Sequence, residues 1–146
     1  MRMNTALQMS SCAKGFCSMA DSKRYHDWYD KARHDLDGAR ILLKEGALYD
    51  LAAFHCQQSI EKALKGWLLQ KTGRLYDGHS LVFLSREARR RGAPLDPLMH
   101  DCAYVNQFYI ETRYPADVPE ALEREDAQEC CRIAEEVLEL LMGIDV

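Results

Sequence analysis

Apolar residues recur at helical spacing along most of the chain. From about residue 22 to 45, steps of three and four separate the apolar positions Tyr25, Trp28, Tyr29, Ala32, Leu36, Ala39 and Leu43. Charged residues fill the intervals, and this pattern is typical of an amphipathic helix. The same spacing predicts further helices over about 50–72, 81–91, 96–111 and 119–142. No strand alternation competes with it, so the sequence predicts an all-α protein of about five helices.

The segments between these helices are mostly short, which predicts an antiparallel, up-and-down helical bundle. Gly46 offers a left-handed end to the first helix and Asp50 a side-chain cap to the second, so the two should form a hairpin. Gly92 and Pro94 should end the third helix, and Pro97 is tolerated in the first turn of the fourth. The apolar stripe of the second helix is too wide for one covered face. We therefore expect this helix to be buried on more than one side, with the last helix packed against the hairpin.

Length and composition fit one folded unit. The chain has 146 residues, of which 47% are hydrophobic and 29% charged, an ordinary balance for a globular domain. Residues 1–19 lack helical periodicity, so we expect a disordered tail followed by a single helical domain over 20–146. No apolar run approaches the roughly 20 residues of a membrane span, and the first residues do not resemble a signal peptide. A soluble, cytoplasmic protein with no membrane contact is expected.

Charge and cysteine content narrow the possible chemistry. A formal net charge of -4 argues against a surface that attracts polyanions as a whole, so any phosphate site must be local. The six cysteines form neither a disulfide framework nor the ligand pairs of a zinc site. We expect reduced thiols, with Cys130 and Cys131 buried, and neither metal nor cofactor. The basic run 89–91 fits a contact with RNA or an acidic partner, and equally the negative end of a helix.

Three stretches of the chain together resemble the HEPN domain family. They are ARHDLDGARILLKEGALYDLAAFHCQQSIEKALKGWL, which begins at Ala32, then DGHSL, which begins at Asp77, and YIETRYP, which begins at Tyr109. The resemblance extends over about 20–142. It implies an all-α bundle, often a homodimer, that is found beside a minimal nucleotidyltransferase. It also implies proposed nucleotide binding in some members and metal-independent RNA cleavage in others.

Four polar residues form a ridge on the second predicted helix, at spacings of three and four: Gln58, Glu61, Lys62 and Lys65. In one interpretation Lys62 or Lys65 supplies a positive charge to phosphate, while Gln58 orients a base or a neighbouring side chain. In the other, which is favoured for Glu61, this residue and Lys65 form an exposed ion pair of about 0.3–0.5 kcal/mol. Both interpretations can hold at once.

The segment YIETRYPAD supplies the strongest candidates for ligand binding. Arg113 can grip a phosphate with two parallel hydrogen bonds, and Tyr109 and Tyr114 offer rings for stacking and hydroxyls for hydrogen bonds. The alternative is structural: Arg113 would pair with Asp117 or a helix carboxylate, and Tyr114 would pack on the bundle. The sequence leaves the two open.

Enzyme function depends on an arginine and histidine pair. RNA-cleaving HEPN proteins carry an Arg and a His separated by four to six residues, since arginine stabilises phosphorane charge and histidine transfers protons near neutral pH. No histidine follows Arg113, and the only literal match is Arg74 with His79. A two-residue match arises easily by chance, and His79 beside Ser80 also suits the ordering of the next helix. Catalysis by Arg74 and His79 is therefore the weaker hypothesis.

We accordingly expect a nucleotide- or RNA-associated binding module that acts as the non-catalytic partner of a minimal nucleotidyltransferase in a toxin-antitoxin-like pair. The alternative is a metal-independent ribonuclease toxin, and a plain dimeric scaffold is a third possibility. Broad apolar faces on the first, second and last helices favour a homodimer.

Overall fold

The computed structural model describes residues 20–111 and 122–143, and within these ranges it consists of helices and connecting turns. The helices are α1 (Tyr25–Ile41), α2 (Tyr49–Thr72), α3 (Leu81–Arg90), α4 (Met99–Asn106), α5 (Phe108–Glu111) and α6 (Arg124–Met142). A π-helical turn, Leu42–Gly46, continues α1, and a 3-10 turn, Asp96–Leu98, precedes α4. The prediction of an all-α fold is confirmed. None of the described helices is long and apolar enough to cross a membrane.

Helix α2 lies at the centre of the bundle. It packs against α1 as the other arm of a hairpin and against α6, which returns along the same pair, while α3, α4 and α5 contact its remaining surface. Its buried residues therefore occupy more than one side of the helix. This confirms that its wide apolar stripe is covered from several directions and that the last helix packs on the hairpin.

The hydrophobic core is built around this central helix. Its largest fully buried apolar side chains are Leu36, Ile60, Leu64, Leu68, Leu81, Leu84, Leu95, Val105, Ile133, Val137 and Leu138. They come from every long helix, and burying each such side chain contributes about 1.5–3 kcal/mol. Packing, more than local helix propensity, therefore holds the arrangement together.

The turn of the first hairpin differs from the prediction. The left-handed residue is Ala47, with φ of 48°, whereas Gly46 lies within the π-helical turn. The π-helical turn keeps Gly46 inside the helix, so the left-handed residue that ends the helix falls one position later, at Ala47. Asp50 is not the cap either: it lies in the first turn of α2, where its carboxylate accepts from the Leu51 amide at 2.9 Å.

The later helix ends agree with the prediction in part. Ser80 caps α3 by accepting a hydrogen bond from the Phe83 amide at 3.2 Å. The predicted fourth helix is divided at Gln107 into α4 and α5. Within the described residues the last helix starts at Arg124, because the Asp126 carboxylate accepts from the Glu123 amide at 3.0 Å and closes its first turn. The expected tail over 1–19 lies outside the described residues.

At two glycines on facing helices, replacement by alanine should change the free energy of unfolding in opposite directions. A Cβ at Gly66 of α2 would lie 2.9 Å from Tyr29 Cδ1 and 3.0 Å from Trp28 Cβ, so α1 would have to move. We expect Gly66→Ala to lower the free energy of unfolding by about 1–3 kcal/mol. Gly38→Ala is the matched control, since nothing lies within 4 Å of its Cβ. It should raise stability by about 0.5–1 kcal/mol through helix propensity. Urea unfolding followed by circular dichroism measures both, and a loss of equal size in both variants would contradict the close packing at Gly66.

Candidate functional site

A buried carboxylate, Glu61, lies on the central helix. The residue is 4% exposed, and Lys65, one turn further along α2, is 7% exposed. Lys65 Nζ lies 3.0 Å from Glu61 Oε1, so the predicted ion pair is present. The expectation that this pair is exposed is wrong, because the helices around α2 cover the ridge as well as the apolar stripe. Burial removes the water that would otherwise solvate the carboxylate, which therefore needs protein donors.

Three further donors complete the shell of Glu61. His79 Nδ1 lies 3.0 Å from Oε1, and the amides of Gln58 and Gln57 lie 3.3 Å and 3.4 Å from Oε2. The amide of Gln57 also donates to the His79 carbonyl oxygen at 3.1 Å. Gln58 belongs to the predicted ridge, whereas Gln57, which is fully buried, is a member of the site that was not predicted. Gln57 lies four residues before Glu61, and this helical spacing could have predicted that the two side chains meet.

The contact with Glu61 fixes the orientation of His79. A carboxylate can only accept, so Nδ1 of His79 carries a proton in this arrangement, and in the neutral ring Nε2 is the acceptor nitrogen. The His79 side chain remains 55% exposed although its partner is buried. The interpretation of His79 as a residue that merely orders α3 is therefore incomplete, because its ring is held by α2 and open to solvent.

Tyr109 of α5 joins the same cluster. Its ring is stacked on His79 with centroids 4.8 Å apart and planes 17° from parallel. Phe54 of α2 stacks on Tyr109 in turn, at 6.3 Å and 29°. The structure thus brings together His79 and Tyr109, which the sequence had placed in separate candidate sites. We call these two side chains, with Glu61 beneath them, the His79 surface.

The remaining ridge lysine faces a different partner. Lys62 Nζ contacts Asp35 Oδ2 of α1, and His55 Nδ1 lies 3.0 Å from the other oxygen of the same carboxylate. Asp35 is 13% exposed at its side chain, so this cluster is half-buried between α1 and α2. Lys62 is therefore separate from the His79 surface, and its charge is matched by Asp35.

The sequence match of Arg74 with His79 does not correspond to one side-chain cluster. The Arg74 guanidinium lies over the ring of Tyr76 at 5.2 Å, and Arg91 approaches the same ring at 5.5 Å. His79 instead contacts Glu61 and Tyr109. The two other ligand candidates, Arg113 and Tyr114, lie outside the described residues.

Other features of the sequence resolve into local structure. Cys130 is fully buried and Cys131 is 6% exposed, as expected for thiols that fill the core, and burial raises the pKa of Cys130 to about 12. In the basic run, Arg91 pairs with Glu87 at 2.7 Å. This ion pair stabilises the carboxyl end of α3. Among residues 20–111 and 122–143, no group of three His, Cys, Asp or Glu side chains is placed to hold a metal ion.

The buried ion pair should respond to substitution far more than an exposed one. Lys65→Met keeps the aliphatic stem but leaves Glu61 without its cation. We expect a loss of about 3 kcal/mol, near the lower end for a broken buried pair because three donors remain. Lys44→Met is the control: its side chain is 83% exposed and 3.9 Å from Glu45, so about 0.5 kcal/mol or less is expected. Chemical denaturation measures the difference, and equal effects would show that the Glu61–Lys65 pair is solvated.

Comparisons with known proteins agree with this architecture. A family model described as the HEPN domain matches residues 25–144. The crystal structure of TT1696 from Thermus thermophilus is similar to this chain with a TM-score of 0.71 and 31% identity, and covers 84% of this chain and 98% of its own. ST0689, described as an archaeal HEPN homologue, has a TM-score of 0.68 with the same identity and coverage. No curated protein matches the chain. The family match spans most of the sequence, and the chain therefore belongs to the HEPN domain family.

Proposed function

We propose that this HEPN domain binds a nucleotide or a segment of RNA at the His79 surface. The observation that supports it is the stacked pair of His79 and Tyr109, held from below by Glu61. The His79 ring is half-exposed and backed by a second aromatic ring, so it presents a rigid face to a nucleobase. Stacking of a base on an aromatic side chain contributes about 1–3 kcal/mol. This rigidity lowers the entropy lost on binding.

Arg113 is the best candidate for the phosphate. Lys65 and Lys62 already face Glu61 and Asp35, so neither adds uncompensated charge to the surface. Arg113 follows Tyr109 by four positions in the sequence, and a chain of that length spans at most about 14 Å. A guanidinium within that reach suits bidentate contact with phosphate, and Tyr114 adds a further hydroxyl. Lys65 and Gln58 then support the surface from within the bundle through their contacts with Glu61, whereas Lys62 stays paired with Asp35.

Calorimetry with ATP, GTP, AMP and a short single-stranded RNA tests this proposal. We expect binding of at least one of them, weakened about 5- to 100-fold by His79→Ala through the lost stacking. Arg113→Ala should weaken phosphate-bearing ligands, and Tyr109→Phe should retain the ring contact. His34→Ala is the control, because His34 is an exposed histidine of α1. No heat with any of the four ligands would refute the binding function.

A metal-independent ribonuclease is the second candidate, and the contact between Glu61 and His79 favours it. A buried carboxylate that holds Nδ1 of an imidazole leaves Nε2 available for proton transfer, as in other acid-base sites. Cleavage also needs a cation for the charge that develops on the phosphorane. Arg74 stacks on Tyr76, and His79 contacts Glu61, Gln57 and Tyr109. Arg113 is the other arginine to consider.

Incubation of the purified chain with total RNA in the presence of EDTA separates the two candidates. We expect intact RNA, because Arg74, the arginine of the sequence match with His79, lies over the ring of Tyr76. Cleavage that disappears in His79→Ala, falls in Glu61→Gln and persists in His34→Ala would instead establish the ribonuclease. The Arg74→Ala and Arg113→Ala variants would then identify the arginine.

We also propose a minimal nucleotidyltransferase as the protein partner, to which Tyr109 or Tyr114 would be presented for nucleotide modification. Resemblance to the family supports this, and co-purification with a nucleotidyltransferase encoded nearby tests it.

We also propose that the chain forms a homodimer. Its support is a group of exposed apolar side chains near the hairpin turn, where Ile41 is 61%, Leu48 44% and Leu51 40% exposed. Light scattering that shows a monomer would remove it.

A further inference from the structure

Two thiols meet in the interior, between the central helix and the last helix. Cys56 of α2 and Cys131 of α6 are 75 positions apart in the sequence, and their Sγ atoms lie 3.3 Å apart. Cys56 is fully buried and Cys131 is 6% exposed. We propose that this pair is an oxidation site: a peroxide converts Cys56 and Cys131 into a reversible disulfide that links α2 to α6.

The packing restricts this reaction to one pair. A disulfide needs the two sulfurs to approach to about 2.05 Å, which a small side-chain rotation can supply from a thiol contact. Cys130 precedes Cys131 on α6 but is turned by about 100° around the helix axis. Cys102 and Cys130 are also buried, yet among the described residues neither has a thiol within hydrogen-bonding distance.

Electrostatics assign different roles to the two sulfurs. The hydrogen bond from Cys56, together with the positive charge of Arg40, lowers the pKa of Cys131, while the same contact and burial raise the pKa of Cys56. Arg40 is held near Cys131 by Glu135, one turn further along α6, at 2.9 Å. Cys131 is also the more exposed of the two. Its sulfur is therefore the one that meets the oxidant first, and it attacks after losing its proton.

The reaction balances with hydrogen peroxide as the oxidant. The Cys131 thiolate attacks one peroxide oxygen, so that an S–O bond forms, the O–O bond breaks, and the hydroxide that leaves is protonated to water. The Cys131 sulfur is oxidised to a sulfenic acid. The Cys56 thiol then loses its proton and attacks that sulfur, so that the S–S bond forms and the S–O bond breaks. The second hydroxide leaves with the proton from Cys56 as water, and two thiols and one peroxide become one disulfide and two waters.

The disulfide would lie next to the residues that hold the His79 surface and would stabilise the bundle. Cys56 immediately precedes Gln57, whose amide donates to both Glu61 and the His79 carbonyl. A bond across 75 positions also removes many conformations from the unfolded chain. Oxidation should therefore make the bundle more resistant to heat, and a thiol reductant should reverse the change.

The test uses the full chain with Cys12→Ser and Cys17→Ser, so that the two cysteines of the first segment cannot pair. Four thiols remain. After treatment with hydrogen peroxide we expect two of them to disappear, a mass loss of about 2 Da for the two hydrogens removed, and a cross-linked peptide that contains Cys56 and Cys131. The melting temperature should rise by about 10 °C and return with dithiothreitol.

Cys131→Ser should abolish the cross-link, and Cys56→Ser provides the same test from the other sulfur if the first variant folds poorly. Cys130→Ser is the matched control, a buried cysteine on the same helix, and should leave the reaction unchanged. Peroxide treatment that leaves all four thiols free, or that gains oxygen at Cys131 without a cross-link, would overturn the proposal. So would a disulfide that persists in Cys131→Ser.

Discussion

Helix α2 is enclosed by other helices, and a carboxylate on an enclosed helix cannot rely on water. Glu61 is that carboxylate, and its burial is tolerated only with donors from Lys65, His79 and two glutamines. The energetic requirement to satisfy one buried charge therefore organises much of the polar structure of the bundle. The contacts with Glu61 and Gln57 hold the loop after α2 against this helix and fix the position of His79 in that loop. Because Cys56 immediately precedes Gln57 on this helix, the thiol contact and the Glu61 network occupy adjacent positions of α2.

Function is proposed at the place where this internal network reaches solvent. Glu61 is buried, His79 is half-exposed, and Tyr109 packs on the imidazole from α5. A side chain held on one edge by a buried partner and on one face by a ring loses little freedom when a ligand binds. The same arrangement suits base stacking and proton transfer. The difference between a binding module and a ribonuclease then depends on whether a cation is placed beside the imidazole to stabilise the charge of a phosphorane, and not only to hold the phosphate of a bound ligand.

The sequence by itself determined the class of fold and most of its helices, because a 3.6-residue apolar period is a local property that the chain carries without its neighbours. The width of the apolar stripe on α2 also predicted its central place. Helix ends were harder to predict: the left-handed turn falls at Ala47 and not at Gly46, since a π-helical turn shifts it. The sequence further supplied His79, Tyr109 and Lys65 as separate candidates.

Only the tertiary structure decided which of these candidates meet. The Glu61–Lys65 pair was expected to be exposed, because spacing along a helix reveals which residues share a face but not what covers that face. The packing of the surrounding helices buries Glu61. Contact between His79 and Tyr109 joins residues 30 positions apart, and contact between Cys56 and Cys131 joins residues 75 apart. Such contacts depend on how helices are placed in three dimensions, which no local pattern records.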